Sequence, residues 1–333
     1  MRTASLRKLT VGAVAAGLVL TGCGTTAEGG SASGGEDGPV SGLRIMVPNS
    51  PGSGYDTTAR VVSKTMEDVE LASGIEVFNL EGAGGTVGLQ RLVNEDGNAD
   101  LLMQMGLGVV GASYTNESEA TLEDTTPIAR LIEESEAIVV PANSPYQSLD
   151  QLIEAWKADP GAVPVGGASN PGGPDHLTPM LLADAVDLDP TTVNYVSYDG
   201  GGELLAAILG NQIAFGATGI GEVAEQAAAG EVRILAVTSE EPVEGVDAPT
   251  LTEEGVDLVF TNWRGIVAAP GISEEEIQRH VDLVTEMHDS EEWQQALETN
   301  GWSDAFITGD EFSSFLSDES QRVQTILSEL GLA

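Results

Sequence analysis

From Leu43 onward, short apolar runs alternate with segments whose apolar residues recur every three or four positions. Runs of that length suit buried strands and the 3.6-residue period suits helices lying on them, so the chain reads as an α/β protein. Leu43-Arg44-Ile45-Met46-Val47 predicts the first strand, followed by Ile75 to Phe78, Leu101 to Met105, and Ala137 to Val140, which Pro141 ends. Further strands are expected at Val163 to Val165, Val193 to Val196, Ile213 to Phe215 and Val232 to Val237. Asp56 is expected to cap a helix with Ala59, Val62, Met66 and Val69 on one face, and Leu89, Leu92 and Val93 mark the buried side of a second. Ser148-Leu149-Asp150-Gln151 reads as a capping box for a helix through Trp156 and Lys157. The C-terminal region reads as three helices, Ser273 to His288, Glu291 to Asn300 and Asp310 to Leu330.

The first 42 residues break this pattern. Arg2, Arg7 and Lys8 precede the apolar run Leu9 to Leu20, which is too short for a membrane span and has the order of a secretory signal. Leu20-Thr21-Gly22-Cys23 resembles the bacterial lipobox, in which the cysteine sulfur takes a diacylglyceryl group and the signal is cut before it. Residues 1–22 are therefore expected to be a lipoprotein signal peptide, and 23–42, rich in Gly, Ser and Thr, a flexible tether. Cys23 is the sole cysteine, so no internal disulfide can form and stability must come from a packed core. The length suits about two domains.

Charge narrows the partners. Asp plus Glu number 53 against 13 Lys plus Arg, three of those bases lying in the leader, which makes nucleic acid and anionic lipid poor partners. Such a composition suits either a salt-rich habitat or simply a soluble acidic surface.

Three Gly-rich loops are expected before helix N-termini: Pro48-Asn49-Ser50-Pro51-Gly52-Ser53-Gly54, Gly82-Ala83-Gly84-Gly85-Thr86, and Gly166-Gly167-Ala168-Ser169-Asn170-Pro171-Gly172-Gly173. Backbone N–H groups at such a terminus form an anion site without a basic side chain. A carboxylate about 5 Å from one terminus gains roughly 1.7 kcal/mol, whereas the screened surface charge opposes by only about 0.7 kcal/mol. An acidic protein can thus bind an anion. The loop hydroxyls of Ser50, Ser53, Thr86 and Ser169 could add contacts, with Tyr55 and Tyr198 closing over the ligand.

Enzyme signatures fail. Val87 stands where a dinucleotide fingerprint wants its third glycine, and Gly167-Ala168-Ser169-Asn170-Pro171 lacks the closing glycine of a nucleophile elbow. His280 and His288 are eight apart and His176 is remote, so no metal site or cofactor is expected. His280 and His288 read as surface residues, while His176 either touches ligand or caps and packs. Trp156, Trp293 and Trp302 read as packing; Trp263, in Asn262-Trp263-Arg264-Gly265, is either cleft wall or core.

In order, these blocks resemble the substrate-binding proteins of the tripartite tricarboxylate transporter family, also called the Bug family. The first block is Pro48, Gly52, Gly54, Asp56 and Arg60; the second is Asn79, Gly82, Ala83, Gly85 and Gly88; the third is Ser169, Gly172, His176 and Leu177. Further matches are Tyr198 with Gly200, Arg233 with Leu235 to Thr238, Pro249 to Leu251, Trp263, and Pro270-Gly271. Two departures stand out: Ser53 interrupts a Gly-Gly pair, and Asp199 sits where lysine is common.

The resemblance implies a type II periplasmic-binding-protein-like α/β fold with two lobes, a ligand cleft and a hinge. Residues 43–141 and 265–333 would form lobe 1 and 142–264 lobe 2, with crossings near Pro141 to Ser144 and Asn262 to Gly265. It also implies capture of a small tri- or dicarboxylate by a lipid-anchored extracytoplasmic monomer that delivers it to large and small integral membrane subunits. The expected ligand-binding residues are Asn49, Ser50, Gly52, Ser53, Tyr55, Asp56, Gly84, Gly85, Thr86, Ser169, Gly172, Gly173, His176, Tyr198 and Gly200. The alternatives are a surface-anchored hydrolase or lyase using His176 and Asp175, and a lipoprotein that presents ligand to a sensor.

Overall fold

The computed structural model describes residues 38–198 and 200–333, so the signal peptide, Cys23 and Asp199 lie outside the described residues. The chain first builds β1 (Val40–Ser41), β2 (Arg44–Val47), α1 (Gly54–Asp68), β3 (Ala72–Ser73), β4 (Glu76–Asn79), α2 (Thr86–Val93), β5 (Leu101–Gly106) and α3 (Leu107–Thr115). It continues through β6 (Thr126–Pro141), α4 (Leu149–Ala158), β7 (Val165–Gly167), α5 (Pro174–Ala185), β8 (Tyr195–Ser197), α6 (Gly201–Leu209), β9 (Phe215–Gly219), α7 (Ala224–Ala228) and β10 (Val232–Val237). It closes with β11 (Thr261–Ala268), α8 (Glu274–His288), α9 (Glu291–Asn300), β12 (Ser303–Thr308) and α10 (Gly309–Glu329).

The strands run β4-β2-β5-β11-β6-β9-β7-β8 across one sheet, with β10 and β12 also on β6. Its 16-residue strand β6 changes partners partway along. Thr126 to Ser135 pair with β11, and β12 lies along part of the same stretch; from Glu136 onward the partners are β9 and β10.

The buried side chains divide at the same place. One core joins Leu43 to Ile132 with Phe260 to Ile272 and the C-terminal helices, and takes in Leu177 from α5. Beyond it, alternation along β6 splits two further cores: Ile138 and Val140 pack with Trp156 and Phe215, whereas Ala137 and Val139 pack with Leu204 and Ile208 on the other face.

Several expectations need correction. Val40 and Ser41, read as tether, pair with Ala72 and Ser73. Ser53, not Asp56, caps α1, its hydroxyl accepting the Asp56 N–H. The strand predicted at Ala137 to Val140 is the end of a much longer one, and β11 and β12 were not foreseen. His280 is buried, with Nε2 2.8 Å from the Ala99 carbonyl, so only His288 keeps a partly open position. Trp263 is core: it is buried, and its indole N–H donates to Glu319.

Candidate functional site

Loop 48–54 is held from within. The Asp56 carboxylate accepts the Gly52 N–H at 2.9 Å, pairs with both Nε and Nη2 of Arg60 at 2.9 Å, and accepts from Asn79 Nδ2 at 3.0 Å. Asn79 Nδ2 also donates to the Asn49 carbonyl, tying the start of the loop to β4. Burial acts to raise the Asp56 pKa, but the hydrogen bonds from Arg60, Gly52 and Asn79 outweigh it and hold the carboxyl below its usual range. Asp56, Arg60 and Asn79 therefore shape the loop. Asn49 and Gly52 remain exposed at its tip, with Ser50 half-buried beside them.

Loop 166–173 repeats the device. Asp175, in the first turn of α5, accepts the Ala168 N–H at 2.7 Å and the Ser169 hydroxyl at 2.8 Å. His176 Nδ1 accepts the Gly172 N–H at 3.2 Å, and its ring meets Tyr195 edge-on. Burial lowers the His176 pKa to about 4, leaving a neutral imidazole suited to that acceptor role. Tyr195 and Ser197 hydroxyls both donate to the Ser169 carbonyl. Asp175 and His176 thus act on separate loop groups, which leaves them committed to structure rather than paired as acid and base.

Loop 82–86 differs, because its groups are less occupied. Gly82, Ala83, Gly84 and Gly85 all have positive φ, a run that only glycine-rich sequence sustains. Gly85 N–H returns to the Gly82 carbonyl, and the Thr86 hydroxyl donates to Ala83. Among the described residues, the Ala83 and Gly84 N–H groups have no such partner.

Loops 82–86 and 166–173 meet on α3, an element the sequence reading missed, and Tyr55, just past loop 48–54, packs on its start. A Cβ on Gly84 would fall 2.6 Å from that of Ala112, and one on Gly85 2.8 Å from Val109. The Tyr55 side chain abuts Gly106 and Gly108, its hydroxyl facing the N–H groups of Val109 and Gly108; burial, partly offset by Arg264, pushes its pKa up to about 12. A Cβ on Gly111 would overlap the Gly172 carbonyl, so α3 and loop 166–173 touch backbone to backbone. The signal available in the sequence was the run of small residues Gly106, Gly108, Gly111 and Ala112.

Tyr198 is half-buried beside Gly166, its N–H donating to the Gly167 carbonyl, and Gly200 caps α6. A separate recess of about 310 Å³ lies elsewhere, lined by Ala142, Ala227, Gly230, Arg233, Val246 and Asp247, and contains none of the expected site residues.

Beneath the loops sits a group of buried charges. Arg264 packs under Gly54 and pairs with Glu134 at 2.7 Å. Glu136 is fully buried, and its pKa is raised well above the carboxylate range by burial and then by Asp175, Glu134 and Glu222. Burial likewise raises Asp175 and takes Glu222 to about 7. A folded-state pKa above the unfolded one gives stability that is full below the unfolded value and lost as pH rises through the folded one. Thermal stability is therefore expected to fall between about pH 5 and pH 8, and Glu136→Gln to flatten that slope and raise the melting temperature at pH 8. A steeper slope in that variant, measured by calorimetry, would contradict the assignment.

The architecture is that of periplasmic solute-binding proteins. The periplasmic binding protein BugD matches with TM-score 0.76 at 20% identity, over 88% of this chain and 99% of its own. MatC of Rhodopseudomonas palustris, solved with bound malate, gives 0.74 at 22% identity over 87% and 99%. Residues 58–332 match the tripartite tricarboxylate transporter family receptor, TctC, and the chain belongs to that family. Protein BugT of Bordetella pertussis is 28% identical over 302 residues, covering 88% of this chain and 90% of BugT. These proteins are solute-binding receptors, not enzymes.

Proposed function

We propose that this chain is a lipid-anchored extracytoplasmic receptor that captures a small carboxylate and delivers it to the membrane subunits of a tripartite transporter. The meeting on α3 of loops 82–86 and 166–173, and of Tyr55 just past loop 48–54, carries the reading. It gathers first-turn N–H groups of α1 with the unoccupied N–H groups of loop 82–86, a donor set fitted to a carboxylate. Malate in MatC and adipate in another R. palustris protein of this fold support that ligand class. No helix among the described residues is long and apolar enough to cross a membrane, so attachment would rest on Cys23.

Capture would proceed by closure of two lobes. The division of buried side chains supports lobes that meet along β6, with the change of strand partners at Ser135 and Glu136 marking the seam. The Gly111–Gly172 contact would then be a closed-state feature.

A thermal-shift screen with citrate, tricarballylate, C4 and C5 dicarboxylates and aromatic acids tests the function. A ligand at about 100 times its Kd should add roughly 2.7 kcal/mol; no shift with any carboxylate sinks the reading, as does turnover of the ligand. For anchoring, Cys23→Ala is expected to move the protein from the membrane fraction to the soluble one. Intact mass showing an unmodified Cys23 in the wild type would contradict it.

A further inference from the structure

Strand β10 is covered unevenly. One edge is laddered to β6, from Val232 opposite Pro141 to Val237 opposite Ala137. On the other edge the returning chain meets only its end: the Val237 N–H donates to the Pro249 carbonyl, and the Val237 carbonyl accepts the Leu251 N–H. At the start of β10 no described strand takes up that edge. There Val232 to Ile234 and the returning residues 245–247 both line the recess of about 310 Å³, with Ala224 and Ala227 of α7 beside them. The recess lies far from the three Gly-rich loops, since roughly 20 Å of strand separates Pro141 from the seam at Ser135, at about 3.3 Å per residue.

Its chemistry is simple. The volume is that of about ten water molecules at about 30 Å³ each, at the lower end of small-molecule pockets. Alanines of α7 with Val232, Ile234 and Val246 make its walls largely apolar, and Arg233 and Asp247 bring the only charges. Arg233 is one of 13 bases against 53 acids, yet the ion pairs among the described residues leave it out. Its Nη1 and Nη2 reach only the Tyr146 and Ala142 carbonyls, each at a long 3.4 Å, and Ala142 itself lines the recess. Neutral carbonyls hold a guanidinium in place without answering its charge. One unanswered cation suits one carboxylate, which a guanidinium can grip with two N–H groups. A second anionic group would meet Asp247 or an apolar wall.

We propose that this recess is a second ligand site, separate from the loop cluster, and that it takes a short-chain aliphatic monocarboxylate. The carboxylate sits on Arg233, and the hydrocarbon chain lies against Val232, Ile234, Val246 and the α7 alanines. The site shares no residue with the three loops, so it goes beyond the carboxylate-receptor reading and stands without it.

Methyl-resolved NMR of the purified chain tests this with three probes: isovalerate, its neutral analogue 3-methylbutan-1-ol, and the dianion succinate. Isovalerate is expected to shift the Ile234 and Val246 methyl signals in a saturable way, whether or not Val87 and Val109 beside loop 82–86 also respond. The alcohol and succinate should act on those two signals at least about tenfold more weakly, the loss expected of one charge-assisted contact. Arg233→Gln should weaken isovalerate by a similar factor, and so should Ala227→Leu, which fills the recess and leaves the guanidinium in place. Because the wild-type map needs no variant, the outcome stands even where Arg233→Gln folds poorly. Silence at Ile234 and Val246 overturns the inference, as does an alcohol or succinate response equal to that of isovalerate, or undiminished binding in either folded variant. Shifts confined to Val87 and Val109 overturn it and leave the carboxylate receptor intact, whereas failure of the carboxylate screen overturns the receptor and leaves this site standing.

Discussion

Arg264→Ala is expected to lower folding stability by about 3–5 kcal/mol, the range for removing one member of a buried ion pair. Arg264 and Glu134 are nearly closed to solvent, with side chains 8% and 7% exposed. Removing the guanidinium leaves Glu134 with the Gly221 N–H alone and leaves the other acids without a nearby cation. It also empties the space beneath Gly54, where the α1 backbone rests on the guanidinium. Urea unfolding at pH 8 and pH 5 checks this: the deficit should shrink at the lower pH, where protonation neutralises the stranded carboxyl groups. Arg44→Ala offers the contrast, since its pair with Glu76 is exposed and such pairs contribute about 0–1 kcal/mol. Comparable losses in the two variants would show that the buried group is not a unit.

Gly111→Ala is expected to destabilise the protein by about 1–3 kcal/mol, as overpacking does, and to weaken carboxylate binding at least tenfold. In an exposed helix the same change would stabilise by about 1 kcal/mol. The sign is therefore diagnostic. The added methyl would meet the Gly172 carbonyl, and backbone cannot rotate aside as a side chain can, so α3 and loop 166–173 must separate. Thermal melts and titration calorimetry read the two effects; a more stable variant with unchanged affinity would mean that the contact does not matter. Gly85→Val should behave similarly through Val109 and Pro48, with backbone strain added by its φ of 102°.

What could be read in the sequence were features decided locally. The apolar runs of β2, β5 and β10 and the faces of α1, α8 and α9 follow from spacing, and the three loops announce themselves by glycine. The failures have one physical origin, partners far away in the chain. The middle of β6 holds Glu133, Glu134 and Glu136, which disguise a strand; Thr261 and Arg264 of β11 answer the first two. β12 hides between helices because it exists only as a partner of β6. His280 looked like a surface residue because its acceptor, the Ala99 carbonyl, lies on another segment.

One misreading was avoidable. Ser53-Gly54-Tyr55-Asp56 has serine at the cap and an acid three residues on, the usual order for a helix start, so Ser53 should have been preferred as the cap. The loop locks also share a spacing: Gly52 donates to Asp56 and Gly172 to His176, each four residues ahead. An acceptor placed so after a glycine marks a loop whose N–H group is already used.

The shared strand β6 also sets when folding can finish. Glu133 and Ile132 find their β12 neighbours at Ser303 and Asp304, near the end of the chain, and Thr126 meets Ala268. Closure of such distant pairings is slow, and no shorter N-terminal piece can complete the strand ladder. A chain emerging N-terminus first would stay incomplete until its final helices arrived. Delay of that kind favours export, because a secretory pore that threads unfolded polypeptide would meet a chain still lacking the residues needed to lock its central sheet.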